Sequence, residues 1–502
     1  MKIHFSIVNV LSYLWIAFGT LIFIIGWCSL YVSLPIVALF IISGWKWLKT
    51  SSNTEILAVS KRQLWGVFFL IFIITLLCGI GGYVVQSNDH YWRNAMFRDL
   101  VNYNWPVFDE KAGLTKSYYI AFWMVPAAIA KALHSMEVGF LAQLLWLSLG
   151  TMLMFLQICR YIGKARVSYI FFFYFFSGFK LAECLLYYPI FGDEGIIGPM
   201  LENLSKNETP GSFHAGPMSQ LLYDPFNQTI PLFLGMMLMI NNVKSKYIPL
   251  IFSLLLLYAP FPLVGLAPIV LYWFIRNIIQ QEKKSRFLYI VSIENITALL
   301  ILFISAAYLM SNNNSGNKGL RPIFDLGADV WAFTLYITFE FGILIAIAYK
   351  ACKDKTVLWI AFGSTAVFGW FQIGLHNDFC FRTNMPLIFI VCILITKRYY
   401  MIETSKSLKY FIIFWYIFAG IPAQIHPLSR WVSSCMIISG TPQSTLNQYQ
   451  DIVDVNELYI FQQKALRNED LQSSFRCDER LYEFRTDVGS PDSFFFKYLA
   501  RK

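Results

Sequence analysis

Repeated apolar runs are the feature that most constrains this chain of 502 residues. The runs extend over about 15 to 24 residues each, close to the roughly 20 residues with which a helix crosses the hydrocarbon core of a bilayer. Hydrophobic residues make up 57% of the sequence and charged residues only 14%, whereas charged residues alone reach roughly a quarter of an average soluble domain. Because a backbone in lipid must satisfy its own hydrogen bonds, such runs form helices. The sequence therefore predicts an all-α, polytopic membrane bundle.

The apolar runs indicate about 13 transmembrane helices. One further run, 118–133, is ambiguous, because Pro126 lies in its middle and Lys131 near its end. It either spans the membrane or re-enters on the side where it began. The expected spans are 8–27, 29–44, 64–86, 139–159, 167–187, 227–241, 247–260, 262–276, 287–309, 329–350, 356–373, 385–397 and 409–424.

Basic residues between the runs indicate the orientation. If 118–133 re-enters, the short basic loops all fall on one side of the membrane, as the positive-inside rule requires. We therefore expect a multi-pass protein of the inner (plasma) membrane with a cytoplasmic N-terminus and an extracytoplasmic C-terminus. The same rule accounts for the net charge of +10 without a polyanion. The lipid bilayer is thus an expected partner and nucleic acid is not.

This topology divides the chain into three parts. Residues 1–63 form a transmembrane hairpin with a cytoplasmic linker, 64–424 form the transmembrane core, and 425–502 form a small extracytoplasmic tail. Cys435 and Cys477 lie in that tail and could pair in an oxidising compartment. We expect the chemistry in the outer loops, which are 87–138, 188–226, 310–328 and 374–384.

The stretch "SNDHYWRNAMFRDL", residues 87–100, places unusual charge directly after an apolar run. Asp89 is a candidate catalytic carboxylate at the membrane surface, and His90, Arg93, Arg98 and Asp99 are candidate substrate-binding residues. Arginine suits a phosphate or diphosphate because its guanidinium donates two parallel hydrogen bonds. The alternative is that Asp89 and Arg93, four residues apart, form a solvated helix pair of small structural value.

The same stretch is expected to form a helix in the plane of the membrane. Its residues Trp92, Met96 and Leu100 would then face the bilayer. The helix would end before "NWP", residues 104–106, because the residue that precedes a proline avoids the helical region.

A second charged stretch, "GLHNDFCFRTNMP", covers residues 374–386. His376, Asp378, Arg382 and Asn384 could bind a sugar phosphate there, and the alternative is a helix cap with an unrelated arginine. The long loop 188–226 is a third possibility, because long loops in compact proteins often contact substrates, although it also fits a plain connection.

Ionisable residues also occur inside apolar runs, where such groups are rare and usually functional. They are Lys180, Glu183, Glu294 and Glu340. The scattered cysteines have no metal-binding spacing, and no phosphate-binding loop, dinucleotide fingerprint or HExxH pattern occurs. We therefore expect no cofactor, and although a divalent metal is possible, no motif supports one.

The order of these features resembles the GT-C class of membrane glycosyltransferases over about residues 60 to 430. That class has a catalytic acid in a large first outer loop, then juxtamembrane helices, an apolar segment and a basic turn. Here Asp89, "YWRNAMFRDLVNYNWPVF", "YYIAFWMVPAAIAKAL" and "RYIGKAR" occupy those places. The chain departs from the class in an extra hairpin at 8–44 and in the absence of a second acid next to Asp89.

The resemblance implies transfer of a sugar from a polyprenyl phosphate or diphosphate donor to a cell-envelope acceptor on the outer face. Asp89 would act as general base, and Arg93, Arg98 or Arg382 would hold the phosphate. A polysaccharide polymerase or ligase of the cell envelope is one alternative. A transporter is another, for which paired broken helices and internal repeats would be expected, and the sequence indicates neither.

Overall fold

The computed structural model describes residues 2–50, 55–84, 86, 88–109, 113–191, 213, 215–312, 320–323, 330–373, 377–421 and 488–501. Within these ranges the chain is mostly helical, as the apolar runs predict. His376, His214, Asp193, Glu194, Cys435 and Cys477 lie outside the described residues.

Short connections and breaks separate the α-helices. They are α1 (Phe5–Trp27), α2 (Leu30–Thr50), α3 (Lys61–Leu77), α4 (Asn88–Asn102), α5 (Ala121–Leu133), α6 (Met136–Ile162), α7 (Ser168–Tyr174), α8 (Lys180–Phe191), α9 (Met218–Tyr223), α10 (Phe226–Ile240), α11 (Ile248–Leu254), α12 (Pro260–Ile279), α13 (Lys283–Ile290), α14 (Ile293–Leu309), α15 (Val330–Tyr336), α16 (Ile343–Ala348), α17 (Lys355–Phe368), α18 (Asp378–Thr383), α19 (Met385–Tyr400) and α20 (Lys406–Trp415). A π-helical turn, Ile337–Gly342, joins α15 to α16, another, Tyr416–Gly420, follows α20, and a third is Phe495–Leu499. A 3₁₀ turn, Tyr349–Ala351, follows α16.

Three small antiparallel sheets connect distant parts of the chain. The first pairs β1 (Lys2–His4) with β2 (Ile56–Ala58), with Ile3 opposite Leu57. The second has the order β3 (Phe108–Asp109), β4 (Leu114–Lys116) and β7 (Val488–Gly489). The third pairs β5 (Arg321–Pro322) with β6 (Phe371–Gln372).

Seven helices among the described residues are long and apolar enough to cross a membrane. A membrane protein with several helical spans therefore agrees with the structure, although this number is smaller than the 13 or so expected from the runs. Several expected spans are shorter or interrupted. The seven are Phe5–Trp27, Leu30–Trp47, Met136–Ile162, Pro260–Ile279, Lys283–Leu309, Val330–Ala351 and Asp378–Tyr400.

The expected span 64–86 illustrates the difference. Helix α3 ends at Leu77, and the next residues, "CGIGG", form turns in which Gly79, Gly81 and Gly82 have φ values of 82°, 88° and 75°. These are left-handed conformations that glycine adopts without steric cost. The apolar run is therefore longer than the helix, because its last part is a glycine-rich turn.

Helix α1 lies inside the helical body. It packs against α5, α6 and α10, and the Trp15 indole donates a hydrogen bond to the Trp146 carbonyl at 3.0 Å. The Trp15 and Trp146 rings stack with centroids 4.9 Å apart. The first helix of the expected N-terminal hairpin therefore contributes directly to the core.

The segment that contains α5 enters the helical body and returns. Its start is inside, where the Ala121 amide donates to the Leu257 carbonyl at 3.1 Å. On both sides of this point the chain contacts the region of α4: Lys116 pairs with Asp99, and Lys131 donates to the Val101 carbonyl at 2.9 Å. Both ends of 117–133 thus lie on one face, which is the re-entrant alternative.

The described end of the C-terminal tail lies on that same face. β7 pairs with β4, and the buried Phe495 ring packs against Phe23 and Tyr308. The Arg501 amide donates to the Trp27 carbonyl at 2.8 Å. We call the surface formed by α4, residues 113–117 and residues 488–501 the α4 face.

The opposite surface collects the basic loops. We call it the basic face and define it by the loops 163–167, 241–247, 280–292, 352–354 and 401–405. Contacts between neighbouring loops hold them together, as the one-sided distribution of Lys and Arg predicts. The contacts are Arg160 with Asn242, Lys246 with Glu294, Arg276 with Asp354, and Arg166 with the Tyr400 ring.

Candidate functional site

Helix α4 is built into the α4 face rather than laid on lipid. Met96 and Leu100 are buried, with exposed fractions of 2% and 0%, so the expectation that they face the bilayer is wrong. The reason is that α5 packs against α4 and covers this side. The helix ends at Asn102, before the "NWP" stretch, as expected.

The predicted catalytic residue, Asp89, lies in the first turn of α4. Its side chain is outside the described residues, as is His376, so the roles assigned to these two residues stay predictions. Arg93 follows Asp89 by four residues on the same helix. One turn of helix therefore separates the proposed base from the nearest arginine.

His90 is buried and lies in a chain of hydrogen bonds. The Asn94 amide donates to Gln86 Oε1 at 2.7 Å, and Gln86 Nε2 lies 3.2 Å from His90 Nδ1. His90 Nε2 lies 2.9 Å from the Tyr223 carbonyl. These partners assign a donating Nε2 and an accepting Nδ1. His90 thereby holds α4 against the last residue of α9.

Arg93 makes a second connection to the same region. Its guanidinium donates to the carbonyl oxygen of Asp224 and lies over the Phe226 ring, 5.7 Å from the centroid. A cation over an aromatic face is attracted by the ring quadrupole. The loop after α9 therefore positions Arg93, which is itself largely buried.

Asp99 has a structural partner that the sequence did not predict. Its carboxylate lies 3.0 Å from the Lys116 ammonium, and both side chains have an exposed fraction of 0%. The pair joins α4 to β4 in the interior. Arg98, next to Asp99, is also buried, at 8%.

Arg382 is arranged differently. Its guanidinium lies 3.0 Å from the Asp378 carboxylate and donates to the Tyr119 hydroxyl at 2.7 Å. The Arg382 side chain is 11% exposed and that of Asp378 is 48% exposed. Arg382 Nε is buried and has no hydrogen-bond acceptor among the residues that the structure describes. One strong donor of Arg382 is therefore available to a ligand.

Two adjacent tyrosines connect the arginines. The Tyr118 and Tyr119 rings stack with centroids 3.7 Å apart, and the Tyr118 hydroxyl donates to that of Tyr119. Burial raises the pKa of Tyr118 well above its usual value, and the neighbouring Tyr119 hydroxyl raises it further. The positive charges of Arg93 and Arg382 lower this pKa but do not cancel the rise. Tyr118 is therefore a neutral hydrogen-bond donor near two cations. We call Arg93, Tyr118, Tyr119, Asp378 and Arg382 the arginine–tyrosine cluster.

Asn384 and Asn377 complete the second charged stretch. Asn384 donates to the Tyr336 hydroxyl at 2.9 Å. Asn377, with a φ of 50°, caps α18 by accepting a hydrogen bond from the Cys380 amide at 3.2 Å. The helix-cap alternative thus holds for Asn377, while Asp378 and Arg382 form a pair across one turn.

Three of the expected outer loops meet at this site. The contact between His90 and Tyr223 joins the first loop to 188–226, and that between Tyr119 and Arg382 joins it to 374–384. The other two loops also touch, since a Cβ at Gly216 would lie 2.3 Å from the Phe381 ring. The described residues of these three loops therefore lie against one another.

Sequence reasoning did not identify Lys116, Tyr118 and Tyr119 as part of the site. The available signal was "KSYYI", where a lysine and two tyrosines directly precede the apolar re-entrant segment. The two tyrosines begin the apolar run 118–133, so hydropathy alone does not distinguish them from its membrane-embedded residues.

Among the described residues, no three His, Cys, Asp or Glu side chains are arranged to hold a metal ion. Glu294, one of the ionisable residues inside an apolar run, is paired with Lys246 at 3.2 Å on the basic face. It therefore takes no part in the arginine–tyrosine cluster.

Comparison with known proteins leaves the function to be inferred from these residues. No protein-family model, no curated protein and no solved structure matches this chain. The resemblance to the GT-C class stays a prediction drawn from the order of features in the sequence.

Proposed function

We propose that this chain is a membrane glycosyltransferase that moves a sugar from a polyprenyl phosphate or diphosphate donor to a cell-envelope acceptor. The observation that supports this proposal best is the arginine–tyrosine cluster. Arg93 and Arg382 come from loops far apart in the sequence, and both interact electrostatically with the Tyr118 hydroxyl. A cluster of guanidinium groups and hydroxyls is the chemistry that recognises a phosphate.

The donor phosphate would bind at Arg382. Its free Nε–H points to a ligand that accepts hydrogen bonds, and the hydroxyl of Tyr119 lies beside it. Asp378, which is half exposed, neutralises part of the charge and keeps the guanidinium oriented. Arg93 would add a second positive charge as the leaving phosphate becomes more negative, which stabilises the transition state.

Asp89 would act as general base toward the acceptor hydroxyl. Asp89 precedes Arg93 by one turn of α4, so the proposed base and the proposed phosphate-binding residue belong to the same helix. Inverting transfer needs one such base. A lipid phosphate leaves as a stable anion, so no separate general acid is required.

We further propose the membrane arrangement in which this reaction takes place. The basic face would be cytoplasmic, in agreement with the positive-inside rule. The α4 face, with the C-terminal tail, would then be extracytoplasmic. Shorter apolar segments such as Phe226–Ile240 and Lys355–Phe368 would bring the number of spans in the inner membrane to about 13.

The transfer reaction itself is the test. Membranes containing the full chain would be given a polyprenyl phosphate that carries a radiolabelled sugar, and label in envelope material would be measured. Asp89→Asn keeps the size of the side chain but removes the proton acceptor, so turnover is expected to fall roughly 10²- to 10⁴-fold. Donor binding should survive, because Asp89 acts on the acceptor.

The matched control for this test is Asp354→Asn, which removes a carboxylate from the basic face and should leave turnover unchanged. Near-normal turnover in Asp89→Asn would refute the role of Asp89 as base and leave the half-exposed Asp378 as the candidate. A wild-type chain that transfers no sugar from polyprenyl phosphate or diphosphate donors would contradict the proposal.

A transporter is a second candidate, and one observation favours it. Helices α7 and α8 are separated by the non-helical residues 175–179, and Lys180, the first residue of α8, is buried. Transporters place broken helices at their substrate sites. Vesicles distinguish the two functions, since a transporter delivers its substrate unchanged whereas a transferase forms a new glycosidic bond.

A further inference from the structure

Three ionisable residues lie together in the interior, away from the arginine–tyrosine cluster. Lys180 and Glu183 are on the first turn of α8, and Glu340 is in the π-helical turn Ile337–Gly342. Their exposed fractions are 5%, 0% and 4%. The proposed transfer reaction uses none of them.

The backbone around these residues is adapted to bring them together. The Phe179 amide donates to the Phe339 carbonyl at 3.3 Å, which joins the break before α8 to the π-helical turn. A Cβ at Gly178 would lie 1.9 Å from Glu340 Oε2, so only glycine leaves space for this carboxyl. π-Helical turns often occur at functional sites, because one extra residue redirects the side chains.

The three groups are close enough to interact electrostatically. Glu183 interacts with Glu340 and with Lys180, and Glu340 interacts with Lys180. Among the described residues, the Tyr336 hydroxyl also interacts with Glu340.

The hydrogen bonding of the carboxyl groups is incomplete. Both oxygens of Glu183, and Oε1 of Glu340, are buried and have no hydrogen-bond partner among the residues that the structure describes. Buried polar groups in folded proteins nearly always have such a partner. These oxygens therefore point to a group that the described residues do not supply.

The charges give the nature of the missing group. Among the described residues, the two carboxylates and the one ammonium leave one negative charge uncompensated, and an uncompensated charge in the interior is strongly unfavourable. A single positive charge makes the site neutral. A divalent ion would leave an excess of positive charge and would also require more oxygen ligands than two carboxyl groups offer.

We propose that Glu183 and Glu340 bind one monovalent cation, a proton or Na⁺, beside Lys180 at the helix break. With a proton, one carboxyl becomes a neutral acid that donates to the other carboxylate. With Na⁺, both carboxylates coordinate the ion. The proposal does not depend on glycosyl transfer, because the site is formed by other residues and the cation is not a reactant.

Infrared spectroscopy of the purified full chain tests this site directly. The C=O band of a protonated carboxyl would be followed as pH rises, with choline as the only added cation and again with Na⁺. In choline we expect a band that disappears at alkaline pH. A band that also disappears at constant pH when Na⁺ replaces choline identifies Na⁺ as an occupant, and one that is insensitive to Na⁺ identifies the proton.

Substitutions assign the band. Glu183→Gln and Glu340→Gln should each remove it completely, because the carboxylate that remains is balanced by Lys180. The matched control is Glu294→Gln, which changes a buried glutamate paired with Lys246 and should leave the band in place.

Two results would overturn the proposal. One is a wild-type chain with no protonated carboxyl band at any pH and no change on adding Na⁺. The other is a band that persists in both glutamine variants. The infrared measurements use no sugar donor, so a negative result does not bear on the proposed transfer reaction. A failure to detect sugar transfer likewise does not bear on the cation site.

Discussion

Two ion pairs, Asp99–Lys116 on the α4 face and Asp378–Arg382 next to the re-entrant segment, have similar chemistry but different surroundings. Asp99 and Lys116 are fully buried against each other, whereas Asp378 is half exposed and Arg382 Nε has no acceptor among the described residues. A buried pair is costly to break, because the remaining charge has no water around it. A pair with a half-exposed carboxylate is partly screened by water and contributes less to stability. The comparison teaches that charge in an outer loop does not by itself indicate substrate binding.

The largest expected effect is the loss of the buried pair. Lys116→Met removes the ammonium that pairs with the buried Asp99 carboxylate, so the free energy of unfolding should fall by about 3–5 kcal/mol. Thermal unfolding of the purified chain measures this loss. The double substitution Asp99→Leu with Lys116→Met removes both charges and should recover much of the stability. If the single variant were as stable as the wild type, the structural role of the pair would be refuted.

A smaller effect is expected when Arg382 of the Asp378–Arg382 pair is replaced. Arg382→Ala removes charge-assisted hydrogen bonds to a bound phosphate, each worth about 1.5–3 kcal/mol. Binding of polyprenyl phosphate should therefore weaken roughly 10- to 150-fold, while unfolding changes far less than in Lys116→Met. Binding to the purified chain can be titrated by tryptophan fluorescence.

The control for Arg382→Ala is Arg276→Ala. It removes an arginine that also pairs with an aspartate, Asp354, but on the basic face. Equal affinities of the two variants for polyprenyl phosphate would show that Arg382 does not bind the donor.

The smallest effect is expected for Asp378→Asn. Because Asp378 is 48% exposed, the loss of its charge should change the free energy of unfolding by less than about 1 kcal/mol. Phosphate binding should be retained or slightly strengthened, since Arg382 then has no competing anion. A destabilisation as large as that of Lys116→Met would mean that the two pairs do not differ as described.

Sequence patterns predicted part of this site. Asp378, Arg382 and Asn384 were selected because charge close to hydrocarbon is unusual, and the structure brings Arg382 next to the first outer loop. The buried environments of His90 and Asp99 could not be predicted in the same way. Their partners, Tyr223 and Lys116, are separated from them in the sequence, and local periodicity carries no information about such contacts.

The broken helix before Lys180 was not foreseen either. The run 167–187 is apolar throughout, and apolarity predicts burial without stating whether the backbone continues as one helix. The break at 175–179 is stabilised by contacts with other elements, such as the hydrogen bond from the Trp415 indole to the Ser177 carbonyl at 3.0 Å.

The sequence by itself determined that this chain is a helical membrane protein whose basic loops share one face. Both properties follow from local composition, because a bilayer requires internally hydrogen-bonded apolar segments and the orientation depends on Lys and Arg in short loops. Only the tertiary structure decided that both ends of 118–133 lie on one side of the helical body, that Asp99 is paired, and that Glu183 and Glu340 meet. These features arise from packing between distant segments, where the burial of a charge is decided by what the rest of the chain places beside it.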